Sequence, residues 1–256
     1  MKILLALICF SAGPAAAAAA DREFSSAVNY DTGKYGSKTR TDSVYIPFTF
    51  KLYLGDADLS VTVPYLRQSS TGLVTRVGGK PVRVSRGEAN VGSSAEAGIG
   101  DITVRGAYTL KVDGPESFDL ALAGGLKLPT ASKARGLGTG EPDESAGLEF
   151  AKEVRPGWTF LADGYYTIVG NPPGADFNDL VSADMGFYTA LRKNLGLTVL
   201  YEGQSALVRG NAAPRSLSGT LSYSAAEGLQ FAGGLTLGLS EGSPAIGIGA
   251  ALNKKF

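Results

Sequence analysis

The sequence predicts an all-β fold: a transmembrane antiparallel up-and-down β-barrel of about 12 strands. Three observations predict it. Apolar residues recur at every second position through most of the chain, the period of a strand with two different environments. Connections alternate short and long, as short periplasmic turns and longer external loops do. The chain also finishes on "PAIGIGAALNKKF", an alternating strand that runs to Phe256, where the terminus of a soluble protein usually frays into water.

At the front, "MKILLALICFSAGPAAAAAAD" places Lys2 ahead of an apolar core from Ile3 to Phe10, and Ala18-Ala19-Ala20 fits the small-residue cleavage rule. This reads as a secretory signal peptide over 1–20, leaving a barrel over 21–256. The apolar core is too short for a membrane helix. Cys9 is the one cysteine, and Ile8 before it fits a lipid-attachment site poorly. The mature chain therefore holds no disulfide, although it is exported. It also has no histidine, so it lacks the commonest general base and metal ligand. A Ser-His hydrolase is excluded on that ground, and no cofactor or metal is expected. Lys and Arg number 24, as do Asp and Glu; that balance gives no argument for nucleic acid. No long apolar run follows the signal, which excludes a helical membrane protein. A barrel escapes this test, because only alternate residues face lipid.

The strands follow at 23–32, 43–54, 58–69, 101–112, 117–129, 144–155, 157–169, 179–192, 195–207, 215–226, 229–240 and 245–256. In "SVYIPFTFKLYLG", Val44, Ile46, Phe48, Phe50, Leu52 and Leu54 share one face, against Ser43, Tyr45, Pro47, Thr49, Lys51 and Tyr53. "DLSVTVPYLR", "GDITVRGAYTLK", "SFDLALAGGLKLP" and "LQFAGGLTLGL" repeat the pattern. None shows a helical period. Short links at Gly55, Asp113, Arg155, Lys193 and Glu227 alternate with long ones. With both termini periplasmic, every long loop falls outside and the strand count is even, as closure requires. A soluble β-sandwich or lipocalin-like barrel would turn the apolar face inward. Its outer face would then be Gly, Ala, Ser and Thr, and one row of Leu and Val could not fill so wide an interior. Phe256 is accordingly expected to end the closing strand at the periplasmic rim as an assembly signal read by the barrel-assembly machinery, with Lys254 snorkelling to the headgroups.

Parity then names the residues expected to line the pore. Lys51, Arg105 and Lys127 form a basic wall; Glu149, Asp163, Asp184 and Glu202 form an acidic wall facing it. Such walls orient dipolar solutes in a hydrated pore, or else the charges pair across the interior and close it. Tyr45, Tyr53, Tyr165 and Tyr188 also point inward, to stack on solutes or to narrow the bore. Trp158, Tyr65, Tyr108, Tyr166, Tyr201 and Tyr223 point outward, toward the interfacial girdles. The longest loop, 70–100, carries Arg76, Lys80, Arg83 and Arg86 against Glu88 and Glu96. It either folds into the mouth as a constriction or stays a solvated external loop, the second being slightly preferred. The Gly-rich "GLGTGEP" and "GGLKLPT" precede no helix, so neither cradles phosphate.

Three stretches, "VYIPFTFKLYLGDADLSVTVPYL", "GIGDITVRGAYTL" and "GGLKLPTASKARGLGTGEPDESAGLEF", resemble the outer-membrane family known as "MetA-pathway of phenol degradation". The G-x-G-D strand start and the K-L-P-T…G-L-G-T-G…D hairpin carry most of the resemblance, over roughly 40–150. It implies a barrel that takes up small, often aromatic or hydrophobic, compounds, and it transfers no catalytic residue. The sequence thus points to a passive outer-membrane channel for small molecules in a Gram-negative bacterium, with outer-membrane lipid and a small-molecule solute as partners. The alternatives are a closed structural or adhesin-like barrel whose loops bind partners, and an enzyme at the outer leaflet, for which no clear cluster of carboxylates stands out.

Overall fold

A computed structural model of the protein describes residues 22–69, 73–85, 95–112 and 117–256. Residues 1–21, where a signal peptide is expected, the link at 113–116, Arg86 and Glu88 lie outside the described residues.

Alternation dictates the architecture. Residues such as Phe48, Phe50, Val61, Val63, Leu235 and Ile248 are all exposed, while Thr49, Ser60, Thr62, Ser218, Thr220 and Ser222 on the opposite faces are buried. The apolar face is therefore the outer one, as a bilayer requires and water forbids. Tyr65, Tyr108, Trp158, Tyr166, Tyr201 and Tyr223 all stand on it, as the sequence predicts.

The strands are β1 (Arg22–Gly33), β2 (Thr41–Leu54), β3 (Ala57–Gln68), β4 (Val74–Val77), β5 (Lys80–Arg83), β6 (Glu96–Ile99), β7 (Ile102–Val112) and β8 (Phe118–Leu128). After a short 3-10 turn at Lys133–Arg135 come β9 (Asp143–Arg155), β10 (Trp158–Val169), β11 (Leu180–Arg192), β12 (Leu195–Gln204), β13 (Arg215–Ala226), β14 (Leu229–Gly238) and β15 (Ile246–Lys255). Each long strand pairs antiparallel with its sequence neighbour, and β1 closes on β15 from Glu23↔Lys255 to Thr32↔Ile246. The result is a closed barrel of twelve strands, because β6 and β7 are two pieces of one. Both pair with β3, β7 along Ala57–Thr62 and β6 along Tyr65–Gln68. The break falls at Gly100-Asp101, where the Gly100 N–H still donates to the Pro64 carbonyl at 2.8 Å. Pro64 faces Pro47 across the β2–β3 ladder, so neither residue can donate there.

Gly55, Gly157 and Gly228 take φ values of 68°, 77° and 67° in the short turns, a left-handed conformation costly for any side chain. At this short-turn end the Phe256 N–H donates to the Arg22 carbonyl at 3.0 Å, and the Lys254 ammonium donates to the Glu227 carbonyl at 3.3 Å. Lys254 is thus held by the adjacent turn.

The 70–100 region corrects one expectation. Residues 73–85 are not a solvated external loop: β4 and β5 form a hairpin folded into the long-loop end of the barrel. Gly78 and Gly79, at φ 58° and 82°, supply its two-residue turn. Val77 and Val82 pack with Val169, Leu180, Leu207 and Val208, and Leu73 and Val74 pack with Tyr35. Burying these side chains drives the hairpin inward.

Candidate functional site: the barrel lumen

Lys51, Arg105, Lys127, Asp184, Glu202, Tyr45 and Tyr165 are buried and Glu149, Asp163, Tyr53 and Tyr188 half-buried, on strand faces opposite the exposed apolar ones. The basic wall, however, is not bare. Lys51 pairs with Asp58 at 3.2 Å, and Arg105 donates to the same carboxylate at 3.1 Å. The second arm of Arg105 reaches Glu149 at 2.6 and 2.7 Å. Lys127 pairs with Asp143 at 2.7 Å and Asp101 at 3.6 Å, and donates to the Thr139 hydroxyl at 3.2 Å. Charges are satisfied chiefly by carboxylates on or beside the same wall, rather than by a basic wall set against an acidic one across the bore. Their side chains are only 7–8% exposed, and buried charge persists only when paired in this way.

Lys127 is also the hub of the two most specific sequence motifs. Asp101 closes the G-x-G-D run, Lys127 opens and Thr130 closes K-L-P-T, and Asp143 ends the hairpin. The Asp101 carboxylate accepts the Ala131 N–H at 2.9 Å, and the Thr130 hydroxyl donates to the Gly100 carbonyl at 3.0 Å. Asp143 accepts the Gly170 N–H at 3.1 Å. Leu137 is thereby folded inward against Tyr45, Leu66 and Ala131. The motif is a latch that docks the 129–142 loop over the mouth.

The acidic wall is a single row. Across β9 to β12, Glu149 faces Asp163, Asp163 faces Asp184, and Asp184 faces Glu202. Like charges placed directly opposite repel, so the row needs donors. Glu149 takes Arg105 and the Tyr165 hydroxyl. Asp184 takes the Lys80 ammonium from the hairpin at 2.5 Å. Glu202, 2% exposed, takes the hydroxyls of Ser216 at 3.1 Å and Ser218 at 2.6 Å. Asp163 is half-buried in the middle of the row. Among the described residues no three such groups converge to hold a metal ion.

The four inward tyrosines are all engaged. Tyr53 donates to Glu23 at 2.7 Å. Tyr45 lies under the Arg76 guanidinium, 4.4 Å from its ring centre. The Tyr165 ring lies across Gly147, where an added Cβ would meet it at 2.4 Å; the glycine lets the ring fold flat to Glu149. Tyr188 lies over Gly196 in the same way and packs against Ala151, Leu161 and Leu200. That inward apolar cluster, nearer the short-turn end, follows from parity, yet it does not stand out among charged neighbours.

Sequence reasoning weighed a constriction at 70–100 but slightly preferred a solvated loop, and so left Arg76 and Lys80 out of the lumen. The Arg76 guanidinium donates to Asp31 at 2.5 Å, to the Ser43 hydroxyl at 3.0 Å and to the Gly79 carbonyl at 2.8 Å. The signal was two short β runs around Gly78-Gly79, a hairpin pattern. Asp31 and Asp58 were legible by the same parity that gave Lys51. Two cavities, of about 110 and 80 Å³, lie on either side of the hairpin and share Tyr45, Arg76 and Gly79 as walls. Each has room for several waters, so the lumen is not a fully packed core.

At the long-loop rim, outward-facing Tyr30 donates to Asp42 at 3.0 Å and Tyr166 to Asp179 at 2.6 Å. The phenol hydrogen bond, with that of the Val169 N–H, holds the Asp179 carboxyl below its ordinary value.

Among solved structures, the chain is similar to an outer membrane channel from Pseudomonas putida F1, with 13% identity over 94% of this chain and 97% of that one and a TM-score of 0.72. It is also similar to the KdgM porin in complex with disordered oligogalacturonate (9% identity, 91% and 99% covered, TM-score 0.52) and to the translocator domain of the autotransporter NalP from Neisseria meningitidis (10% identity, 100% and 94% covered, TM-score 0.52). These likenesses are of fold. No curated protein matches the sequence. The family model described as "Putative MetA-pathway of phenol degradation" matches residues 19–256, and the chain belongs to that family.

Proposed function

We propose that the protein is an outer-membrane channel for passive uptake of small molecules, exported by its signal segment and assembled from the Phe256 end. The observation that carries this reading is the pair of cavities inside a closed barrel, each with room for several waters and separated by the hairpin rather than by a packed core. Lys51, Arg105, Lys127, Glu149, Asp163, Asp184 and Glu202 line the route, with Tyr45, Tyr53, Tyr165 and Tyr188. Rows of opposite charge in a wet bore suit dipolar solutes, and the family description points to aromatic ones. The chain carries out no reaction in this reading; its partners are lipid, the assembly machinery and solute.

A closed barrel whose loops bind partners is the second reading. It is favoured by the apolar packing of Val77 and Val82 across the mouth. Planar-bilayer conductance of the refolded mature chain, with a solute panel, separates the two. Discrete current steps and solute-dependent flux are expected. A folded barrel that passes neither ions nor solutes overturns the channel.

A further inference from the structure

Among the described residues, the ion-paired charges of the lumen do not balance. The ion pairs described above join five interior cations, Lys51, Arg76, Lys80, Arg105 and Lys127, to six carboxylates. Glu202 and Asp163, on the same inner face, make eight. At the short-turn rim Glu23 and Lys255 offset each other. Two of the five cations, Arg76 and Lys80, belong not to the wall but to the inserted hairpin. Among these described groups, the wall alone sets three cations against eight carboxylates.

What the hairpin's cations touch is chemically specific. Arg76 stacks its guanidinium on the Tyr45 ring while Asp31 and Ser43 take its edge. An aromatic face combined with a carboxylate is how proteins receive cations. Lys80 places its ammonium on Asp184 beside Glu202. The larger cavity opens onto Asp31, Tyr45, Arg76, Lys80 and Glu202. A solute in that cavity meets Asp31 directly, and reaches Asp184 by displacing Lys80 beside Glu202.

We propose that the lumen selects small cationic solutes, and that Asp31 and Asp184 are their receiving residues, occupied in this structure by the chain's own Arg76 and Lys80. The inference rests on the channel reading above. The hairpin acts as a tethered mimic of the solute: a soluble ammonium or guanidinium compound competes with it for the same carboxylates, and anions are disfavoured throughout.

The test is the reversal potential of the full mature chain in planar bilayers under a KCl gradient. Wild type is expected to prefer K⁺. R76Q/K80Q should raise the K⁺/Cl⁻ permeability ratio at least about fivefold, since a single unit charge at close range in a water-like medium already shifts one ion's local concentration by about that much, and should make the current sensitive to block by millimolar putrescine. D184N should lower the ratio, so the proposal is tested in the opposite direction by a variant that removes charge rather than exposing it. Heat-modifiable migration on gels checks that each variant is folded. Chloride preference in wild type, or a ratio that neither variant moves, overturns the inference and leaves the channel standing. A folded barrel that conducts nothing overturns both.

Discussion

Arg105 on β7 grips Glu149 on β9 through both carboxylate oxygens, at 2.6 and 2.7 Å, by reaching over the intervening strand. It can do so because the inner face of β8 is small there: Gly125 lies opposite Arg105, and Ala121 lies opposite Glu149. The same Arg105 holds Asp58 with its other arm. A planar fork with two ends suits this task, whereas a lysine makes one point contact.

Replacing Arg105 with Gln leaves Asp58 and Glu149 in a site where little water reaches them. The expected loss is about 3–5 kcal/mol, the cost of stripping one partner from a buried pair. The barrel should unfold at lower temperature in detergent, followed by heat-modifiable gel migration. R105K should restore only part of that loss. Equal stability of R105Q and wild type would mean the pair is solvated.

Gly147 is expected to be intolerant of any side chain. G147A places a methyl group against the Tyr165 ring and the Gly164 carbonyl, at 2.4 and 2.3 Å before relaxation. The ring must leave Glu149. Overpacking of this kind costs about 1–3 kcal/mol. Y165F removes the hydroxyl while keeping the ring in place, so it should cost less. A G147A barrel that melts with wild type would show that the ring moves aside freely.

The hairpin should loosen when its apolar anchors are lost. V77S/V82S removes the contacts with Leu180 and Leu207, each buried valine being worth about 1.5–3 kcal/mol. Protease added from the loop side should then cut within 73–85, and single-channel conductance should rise. Faster cleavage without higher conductance would show that the hairpin does not limit flow.

Tyr35 gives the external loops an alkaline sensitivity. Its ring is 2% exposed, its φ is 50°, and its hydroxyl has no hydrogen-bond partner among the described residues. Burial, with Asp31 second, pushes the phenol well above its ordinary value. The neutral form is therefore the one the folded state holds. This contribution is fully present below the unfolded phenol's value of about 10 and is lost as pH rises through the folded one. Alkaline pH should release the Leu73–Val74 segment first, read as protease sensitivity. Y35F should abolish that step with little cost at neutral pH, because the hydroxyl bonds to none of the described residues. A Y35F protein with the same alkaline transition would place its origin elsewhere.

Deleting Phe256 should lower the amount of assembled barrel while leaving export intact, measured as folded protein in the outer-membrane fraction. The side chain is 68% exposed and only its backbone is tied to Arg22, so no large fold stability rests on it. Unchanged levels would make the residue incidental to assembly.

The sequence by itself determined the barrel. Period two along twelve segments decides which side chains meet lipid and which meet the bore, because a strand has only two faces. Short turns against long loops then set strand order and orientation. The same parity put Lys51, Arg105, Lys127 and the row from Glu149 to Glu202 on the inner side, and it would have put Asp31 and Asp58 there too. Tertiary structure alone decided how those charges pair. Register brings Glu149, Asp163, Asp184 and Glu202 level, and the reach of Arg105 depends on small residues one strand away. Parity also says nothing about a loop. Lys80 and Asp184 are 104 positions apart, and they meet only because burying Val77 and Val82 folds the hairpin back into the barrel its flanking strands enclose.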